Sequence, residues 1–266
     1  MSAGESQQLV ETALRAADAA ARELMIRADH PSTGIDTKST DTDLVSDADR
    51  AAEQAIHAVL DAERPDDGRI AEEGGRRSGT SGIFWVIDPL DGTTNYLWGI
   101  PHWAVSIAAC DAAGPLAAVV MHPSTSETFI ALRDGGAWLG TARLRMPAPP
   151  AMERALVGTG FNYSAEERVR QADVLVSALP RIRDIRRFGA AALDICWVAA
   201  GRLDAFIERG VQEWDWMAGR LIVTEAGGAV SILDATPTRP AGIAVARAEL
   251  LESVLAVFGE ASEATE

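Results

Sequence analysis

Residues 83–95, with the sequence IFWVIDPLDGTTN, join a short apolar strand to two carboxylates. The first five residues are apolar, and their β-branched and aromatic side chains are typical of a buried strand. Asp88 and Asp91 follow directly, and Pro89 and Gly92 favour a tight bend that aims both carboxylates at one point. Mg²⁺ prefers such carboxylate oxygens as ligands. We interpret this bend as a cation site, although a plain turn between two strands would use the same residue types.

The residues after the bend, Gly92–Asn95, predict the first turn of a short helix. The first amides of a helix have no acceptor inside the helix, and they favour an anion at the helix start. One segment, Asp88–Asn95, therefore offers both cation ligands and a cradle for phosphate.

Upstream of this segment the sequence predicts two helices. Apolar residues recur at helical spacing over residues 5–28, and a second helix is expected over residues 46–62, where Ser46 and Asp47 are both good N-caps. A polar loop over residues 30–42 separates the two helices. Short apolar runs then follow one another closely, which indicates antiparallel strands packed against helices. The predicted strands are residues 83–87, 103–109, 116–121, 127–132 and 137–139.

The proline-rich stretch Met146–Pro150 is the predicted boundary between two halves, residues 1–147 and residues 148–266. Beyond it, strands and helices alternate, a pattern typical of an α/β arrangement. The predicted strands cover residues 155–158, 182–187, 203–208 and 241–246, and the predicted helices cover residues 164–178, 190–200, 215–226 and 247–257.

The chain of 266 residues carries a net charge of −15. Such a surface repels nucleic acid and anionic membranes, so neither is an expected partner. No apolar run reaches the roughly 18 residues of a membrane span, and the polar N-terminus does not resemble a signal peptide, which makes the cytoplasm the expected location. Cys110 and Cys196 lie in apolar segments and are expected to be buried thiols. An acidic protein also repels phosphate, so a phosphate site here requires bound cations.

Three further acidic segments stand apart from the bend. Glu72 and Glu73 follow a short apolar run, Asp215 lies at the start of a predicted helix, and Asp43–Asp49 lead into the second helix. Each segment has an ordinary explanation by itself, because acidic residues are common on surfaces and at helix N-caps.

Taken together, these segments resemble the inositol monophosphatase family. Asp88–Asn95 and Trp214–Gly219 match its two signatures, and the other acidic segments, with Arg186–Glu208, follow the family's order and spacing over roughly residues 5–257. The resemblance implies an α+β fold, a layered αβαβα sandwich. It implies Mg²⁺-dependent hydrolysis of a small phosphate monoester by a metal-activated water, with inhibition by Li⁺. A homodimer is also implied, with Trp98, Trp103 and Trp138 as candidate contacts.

The resemblance also implies roles for individual residues. Metal binding is assigned to Glu72, Asp88, the carbonyl of Leu90, Asp91 and Asp215. Catalysis is assigned to Glu72, Thr93 and Asp49, with Thr93 holding and Asp49 orienting the attacking water. Substrate contacts are assigned to Gly92, Thr93, Gly189, Ala190, Ala191 and Glu208. The chain departs from the family at Met217, where a small residue is usual, which predicts crowding beside Asp215.

The choice of substrate stays open at this point. Inositol 1-phosphate leads, and histidinol phosphate, fructose 1,6-bisphosphate and 3′-phosphoadenosine 5′-phosphate are alternatives. A regulatory module that binds other proteins is a different class of function, but a complete set of metal ligands favours an enzyme. The sole lysine, Lys38, follows Thr37, which excludes a P-loop, and the absence of Gly-x-Ser-x-Gly argues against an α/β-hydrolase.

Overall fold

The computed structural model describes residues 3–28, 35–37 and 44–260. Most of the loop predicted over residues 30–42, with Lys38, lies outside these ranges, as does Asp43. The elements of the first half are α1 (Ala3–Arg27), β1 (Asp36–Thr37), β2 (Leu44–Val45), α2 (Asp47–Glu63), β3 (Gly68–Ala71), β4 (Gly75–Arg77), β5 (Phe84–Asp91), α3 (Thr93–Leu97), β6 (Ala104–Asp111), β7 (Gly114–His122), β8 (Glu127–Leu132), β9 (Gly136–Leu139) and β10 (Ala142–Arg143).

The second half begins its first strand at Leu156. Its elements are β11 (Leu156–Thr159), α4 (Ala165–Ala178), β12 (Asp184–Arg186), α5 (Ala191–Ala199), β13 (Ala205–Arg209), α6 (Glu213–Glu225), β14 (Gly228–Leu233), β15 (Gly242–Arg247) and α7 (Leu251–Val257). Among the described helices, none combines the length and the apolar character that a bilayer span requires.

Helices α1 and α2 pack together on one face of the first sheet. The buried stripe of α1 consists of Leu9, Ala13, Ala16, Ala17, Ala20 and Leu24. Spacings of three and four residues place these side chains on one face, and the small alanines let α2 approach closely. α2 starts behind Ser46, whose Oγ accepts the Ala48 amide, while Asp49 accepts the Ser46 amide in a capping box. The N-cap predicted at the start of this helix is confirmed.

The first sheet has eight strands in the order β10-β9-β8-β7-β6-β5-β3-β4. All neighbouring pairs are antiparallel except β3 and β5, which are parallel. The parallel pair arises because β4 forms a hairpin with β3 at the sheet edge, so the chain returns on the other side of β3 in the original direction. β3 was not among the predicted strands, and the antiparallel pairing expected between successive predicted strands of this sheet is confirmed. β4 itself was not predicted, because its residues Gly75–Arg77 are exposed and carry no apolar pattern.

The second sheet has five strands in the order β12-β11-β13-β15-β14. The first three strands run parallel, and β15 pairs antiparallel with both β13 and β14. The alternation predicted for this half is confirmed as far as α6. Strand β14 was not predicted, since its residues are mostly half-buried and begin with glycine, a residue that weakens a strand pattern.

The elements form five layers: α1 and α2, the first sheet, α5 and α6, the second sheet, then α4 and α7. This arrangement confirms the predicted αβαβα sandwich. The middle helix layer comes from the second half of the chain, yet it covers the inner face of the first sheet. Val86 of β5, Leu193 of α5 and Phe206 of β13 accordingly belong to one continuous core. The two predicted halves therefore share a core, and their exact boundary stays a prediction.

Candidate functional site

A cavity of about 450 Å³ opens between the two halves of the chain, at the ends of β5 and β13. The first half supplies Glu72 and the segment 88–94, and the second half supplies the segments 160–164 and 208–215 together with residues near the start of α5. All five residues assigned to metal binding line this cavity, as do Gly92, Thr93, Gly189, Ala191 and Glu208.

The floor of the cavity is the last part of β5, which runs on through the two aspartates. The sequence predicted that this strand ends at residue 87, but Asp88 still pairs with Ser106 of β6 and Asp91 with Ala104. The pairing register shifts between the two aspartates, as at a β-bulge. The Leu90 amide donates to Oδ1 of Asp88 at 3.0 Å. The bend thus lies inside the strand, where the neighbouring strand holds it rigidly.

Four carboxylates meet on this floor: those of Glu72, Asp88, Asp91 and Asp215. Asp88 is 1% exposed and is hydrogen-bonded to the side chains of Glu72 and Asp215. Burial first, then the charges of its acidic neighbours, raise the pKa of Asp88 and of Asp215 well above the ordinary range. Burial likewise raises the pKa of Asp91 to about 8. Such raised pKa values mean that burial disfavours the negative charges of these carboxylates, and a cation bound there would relieve that cost.

The donor chemistry of the cluster fits a hard divalent cation. All its donors are oxygens, and bringing their negative charges together in a buried place is costly without a positive charge. Across the described ranges, no group of three or more His, Cys, Asp or Glu side chains is already spaced as a coordination shell.

Asp49 reaches the cavity only through Thr93. The Thr93 hydroxyl lies 2.9 Å from Oδ1 of Asp49 and 3.0 Å from the Leu90 carbonyl, and it donates to these acceptors. The other oxygen of Asp49 accepts the Ser46 amide at 2.8 Å, and Asp49 is fully buried. The side chain that the resemblance places beside the attacking water therefore also serves as the N-terminal cap of α2.

The start of α5 is joined to the floor through Asp91. The Ala191 and Ala192 amides donate to the two oxygens of Asp91, at 3.1 and 2.7 Å. The amide of Ala191, which the resemblance assigns to substrate, is thus bonded to Asp91 here. Ala190 is 1% exposed and is absent from the cavity lining, while Gly189 and Ala191 line it.

At Gly92 the backbone of the cavity floor lies very close to Ala190 of the second half of the chain. Its φ of +89° lies in the left-handed region, and a Cβ there would lie 3.1 Å from the Ala190 side chain and from the His102 carbonyl. Glycine is the residue that adopts this φ without strain and leaves room for both neighbours.

The far wall of the cavity carries Glu208, the last residue but one of β13. Burial, then Asp215, raise the pKa of Glu208 to about 8, and Arg187 acts against this shift. A Cβ on Gly160 would lie 2.1 Å from Oε2 of Glu208, so only glycine fits beside this carboxylate. Arg187 is the one basic side chain among the described residues that line the cavity.

Several lining residues were missed by the sequence reasoning. They are Gly160, Phe161, Asn162, Tyr163, Ser164, Gly210, Val211 and Gln212. The only signal for the first five was their position directly after the predicted strand 155–158, because loops at the carboxyl ends of parallel strands commonly bind ligands.

Helix α6 begins two residues earlier than predicted, which changes the local role of Asp215. It is the third helical residue, and its Oδ2 accepts the Gln212 amide at 2.6 Å in a capping box. Met217 is buried in the shared core and is absent from the cavity lining. The crowding predicted beside Asp215 is therefore wrong, because Met217 points toward the core.

Other residues named from the sequence lie away from the cavity. Cys110 and Cys196 are buried free thiols, as predicted. Trp103 is buried in its own chain, where its ring packs edge-on against Tyr96, so it is unsuited to a subunit contact. Trp98, by contrast, is 66% exposed.

Comparison with known proteins agrees with this geometry. Residues 5–263 match the sequence profile of the inositol monophosphatase family. The Pseudomonas aeruginosa protein named Nus factor SuhB is 46% identical over 237 residues, which are 85% of this chain and 85% of that protein. The Rhizobium meliloti protein named inositol-1-monophosphatase is 45% identical over 190 residues, 70% of this chain and 71% of that protein.

Solved structures show the same architecture. The extragenic suppressor protein suhB from Bartonella henselae superposes with a TM-score of 0.86 at 34% identity, covering 93% of this chain and 97% of that one. Mycobacterium tuberculosis SuhB gives a TM-score of 0.79 at 33% identity, covering 97% and 96%.

Proposed function

This chain belongs to the inositol monophosphatase family, and we propose that it is a Mg²⁺-dependent phosphatase of a small phosphate monoester. The observation that carries the proposal is the cluster of Glu72, Asp88, Asp91 and Asp215 on the floor of one cavity. Among the described residues, no ion pair joins an arginine to Asp88, Asp91 or Asp215. A purely structural acidic cluster would be neutralised by such partners.

The proposed ligands are Glu72, Asp88, Asp91, Asp215 and the Leu90 carbonyl. A Mg²⁺ bound there would supply positive charge that makes water a better nucleophile and stabilises the leaving oxygen. The chain's own contribution is placement. Asp91 is held by two amides of α5, and Asp88 is held by the Leu90 amide.

Thr93 has the geometry to hold the attacking water. Its hydroxyl hydrogen is directed to Asp49 or to the Leu90 carbonyl, which leaves an oxygen lone pair to accept a hydrogen bond from water in the cavity. Asp49 thereby sets the orientation of Thr93 without touching the substrate. Gly92 and Thr93 lie where α3 begins, and their amides are the proposed donors to the phosphate oxygens.

Inositol 1-phosphate is the substrate we favour. Glu208 lies on the wall across from the acidic floor, where its carboxylate can accept hydrogen bonds from the hydroxyls of a polyol. One relative at 45% identity is named inositol-1-monophosphatase. Histidinol phosphate, fructose 1,6-bisphosphate and 3′-phosphoadenosine 5′-phosphate remain alternatives, because a carboxylate such as Glu208 also pairs with an amine.

The direct test is phosphate release from these four substrates by the purified protein, with Mg²⁺ and with excess chelator. We expect release only with Mg²⁺, a clear preference for inositol 1-phosphate, inhibition by high Li⁺, and loss of release in Asp91→Asn. Undiminished release in excess chelator would contradict the metal assignment, and a preference for another of the four would replace the substrate.

A second candidate function is binding to another protein in a regulatory role. It is favoured by one observation, that the relative at 46% identity is named a Nus factor. The net charge of −15 disfavours direct binding to RNA but not to protein. Capture of a partner protein that needs no Mg²⁺ and is unchanged in Asp91→Asn would support this role, whether or not phosphatase activity is present.

We also propose that the protein acts in the cytoplasm as a homodimer. The exposed indole of Trp98 is the aromatic anchor on which this proposal rests, because large exposed aromatic side chains are enriched at interfaces. Light scattering of the wild type and of Trp98→Ala at equal concentration tests it. A monomeric wild-type protein would overturn the proposal.

A further inference from the structure

The position of Asp91 depends on the second half of the chain. Both of its carboxylate oxygens accept amides from the first turn of α5, at 3.1 and 2.7 Å. Asp91 belongs to β5 in the first sheet, whereas α5 lies in the middle helix layer. A displacement of α5 along its axis would therefore weaken both hydrogen bonds and free the carboxylate to turn.

A buried pair ties the first turn of α5 to the first half. Nε2 of His102 lies 3.0 Å from Oδ1 of Asp194, a hydrogen-bond distance. Asp194 is 1% exposed and His102 is 8% exposed. His102 lies in the segment just before β6, and Asp194 follows Ala191 by three residues in α5. The pair thus joins the same two structural units that Asp91 and the α5 amides join.

Aromatic packing fixes the ring of His102 in this place. Its centroid lies 5.1 Å from Phe188, 4.8 Å from Trp197 and 5.7 Å from His122. Phe188 lies just before α5 and Trp197 lies within it, so the ring is held between residues of the unit that it anchors. A side chain packed in this way cannot follow α5 without losing these contacts.

Asn95, the last residue of the Asp88–Asn95 segment, makes a second tie in the same place. Its Nδ2 donates to the His102 carbonyl at 2.8 Å and to the Phe188 carbonyl at 2.7 Å. One carbonyl belongs to the first half and the other to the second. His102 is therefore restrained through its backbone by Asn95 and through its ring by Asp194.

We propose that His102 and Asp194 are positioning residues that hold the start of α5 on Asp91, and so set the direction of the Asp91 carboxylate. Neither side chain lines the cavity, so both act through Asp91. The inference rests on the proposed phosphatase function for its effect on turnover, but the contact between α5 and Asp91 can be tested without any activity. A misplacement of about 1 Å in a catalytic group can cost about 100-fold in rate.

The test compares Asp194→Ala with Asp194→Asn, whose amide oxygen can still accept a hydrogen bond from His102. Asp67→Ala is the matched control, because Asp67 is also a buried carboxylate, 2% exposed, that accepts a ring N–H, from Trp85 at 2.9 Å. Asp67 lies outside the cavity lining. For each protein we would measure the unfolding temperature, kcat on the preferred substrate, and hydrogen exchange of the peptide that covers the first turn of α5.

In Asp194→Ala we expect faster exchange at the Ala191 and Ala192 amides and a fall in kcat of about 100-fold. Asp194→Asn should stay within about tenfold of the wild type, and Asp67→Ala should lower the unfolding temperature while leaving both readouts unchanged. Wild-type exchange in Asp194→Ala, or an equal loss of kcat in Asp67→Ala, would overturn the proposal. If the wild type releases no phosphate from any substrate, the proposed function fails, and the exchange measurement still decides whether the pair holds α5 on Asp91.

Discussion

Acidic side chains are used in opposite ways on the cavity floor and on the outer surface of the protein. On the floor, burial and acidic neighbours raise the pKa of Asp88, and burial raises that of Asp91. On the surface, Asp111 and Glu127 pair with arginines, and hydrogen bonds from Arg133 and Arg202 lower their pKa values. The same residue types are thus paired with arginine at Asp111 and Glu127, whereas burial raises the pKa of Asp88 and Asp91.

This contrast separates what stabilises the fold from what awaits a ligand. A carboxylate whose pKa is lower in the folded than in the unfolded chain stabilises the fold when it is charged. A carboxylate whose pKa is raised by folding destabilises the fold when it is charged, until a bound cation neutralises that charge. Clusters of the second kind concentrate at functional sites. The full chain carries 24 basic residues against 39 acidic ones, and all but one of the basic residues are arginine. Among the described residues, no ion pair joins an arginine to Asp88, Asp91 or Asp215, whereas Asp111 and Glu127 each have one.

The largest expected effect comes from Glu72→Gln, which removes one charge from the floor. Glutamine can still donate a hydrogen bond to Asp88, so we expect the unfolding temperature to stay the same or to rise. The value of kcat/KM should fall by about 1000-fold, or about 4 kcal/mol of transition-state stabilisation. Steady-state kinetics and thermal unfolding measure both. Asp111→Asn is the matched surface control, and we expect it to keep wild-type kinetics and to have slightly lower stability. If Glu72→Gln also kept wild-type kinetics and lost stability, the difference between floor and surface carboxylates would be contradicted.

The next effect is stabilisation by Mg²⁺ itself. A cation that neutralises the floor binds only the folded chain, and at 100 times its dissociation constant it adds about 2.7 kcal/mol of stability. For a chain of this size that corresponds to a rise in unfolding temperature of about 5–10 °C. Calorimetry with and without Mg²⁺ tests this, and the rise should shrink in Glu72→Gln. An equal rise in the variant would place the cation elsewhere.

Glu208→Gln should have a smaller and more selective effect, because Glu208 faces the alcohol part of the substrate rather than the phosphate. We expect the ratio of kcat/KM between inositol 1-phosphate and a simple aryl phosphate to change by about tenfold, or about 1.4 kcal/mol. Competition between the two substrates measures this ratio. An equal loss of kcat/KM on both substrates would show that Glu208 acts in phosphate hydrolysis and not in recognition of the alcohol part.

The smallest effect is expected at the surface pair of Glu127 and Arg202, which joins β8 to the segment after α5. Folding lowers the pKa of Glu127 below its unfolded value of about 4.5. The charged Glu127 therefore stabilises the fold at pH values above 4.5, and this stabilisation is lost as the pH falls through the folded pKa. Glu127→Gln should cost about 0.5 kcal/mol at pH 7 and almost nothing near pH 3. Chemical denaturation at both pH values measures the difference, and a cost that does not depend on pH would point to packing.

Much of this architecture follows from local sequence alone. The periodicity of α1, the N-cap of α2 and the apolar run before Asp88 depend on residues a few positions apart, so the sequence predicts them directly. The pairing of Asp88 and Asp91 at one bend is equally local. Strand β4, which is exposed, and strand β14, which is mostly half-buried, were missed because glycine-containing strands without an apolar pattern depend on their neighbours more than on their own side chains.

The sequence by itself determined the fold class, the acidic bend and the kinds of residue that form the site. Only the tertiary structure decided which carboxylates gather on the cavity floor, that the first amides of α5 bind Asp91, and that His102 meets Asp194. Glu72 follows β3 of the first sheet and Asp215 lies in α6 of the middle helix layer, so two different layers bring them to one floor, and Met217 is turned away from it. Such contacts join residues that are far apart in the chain, so no periodic pattern in the sequence indicates them. They stabilise the protein only after both layers have packed together.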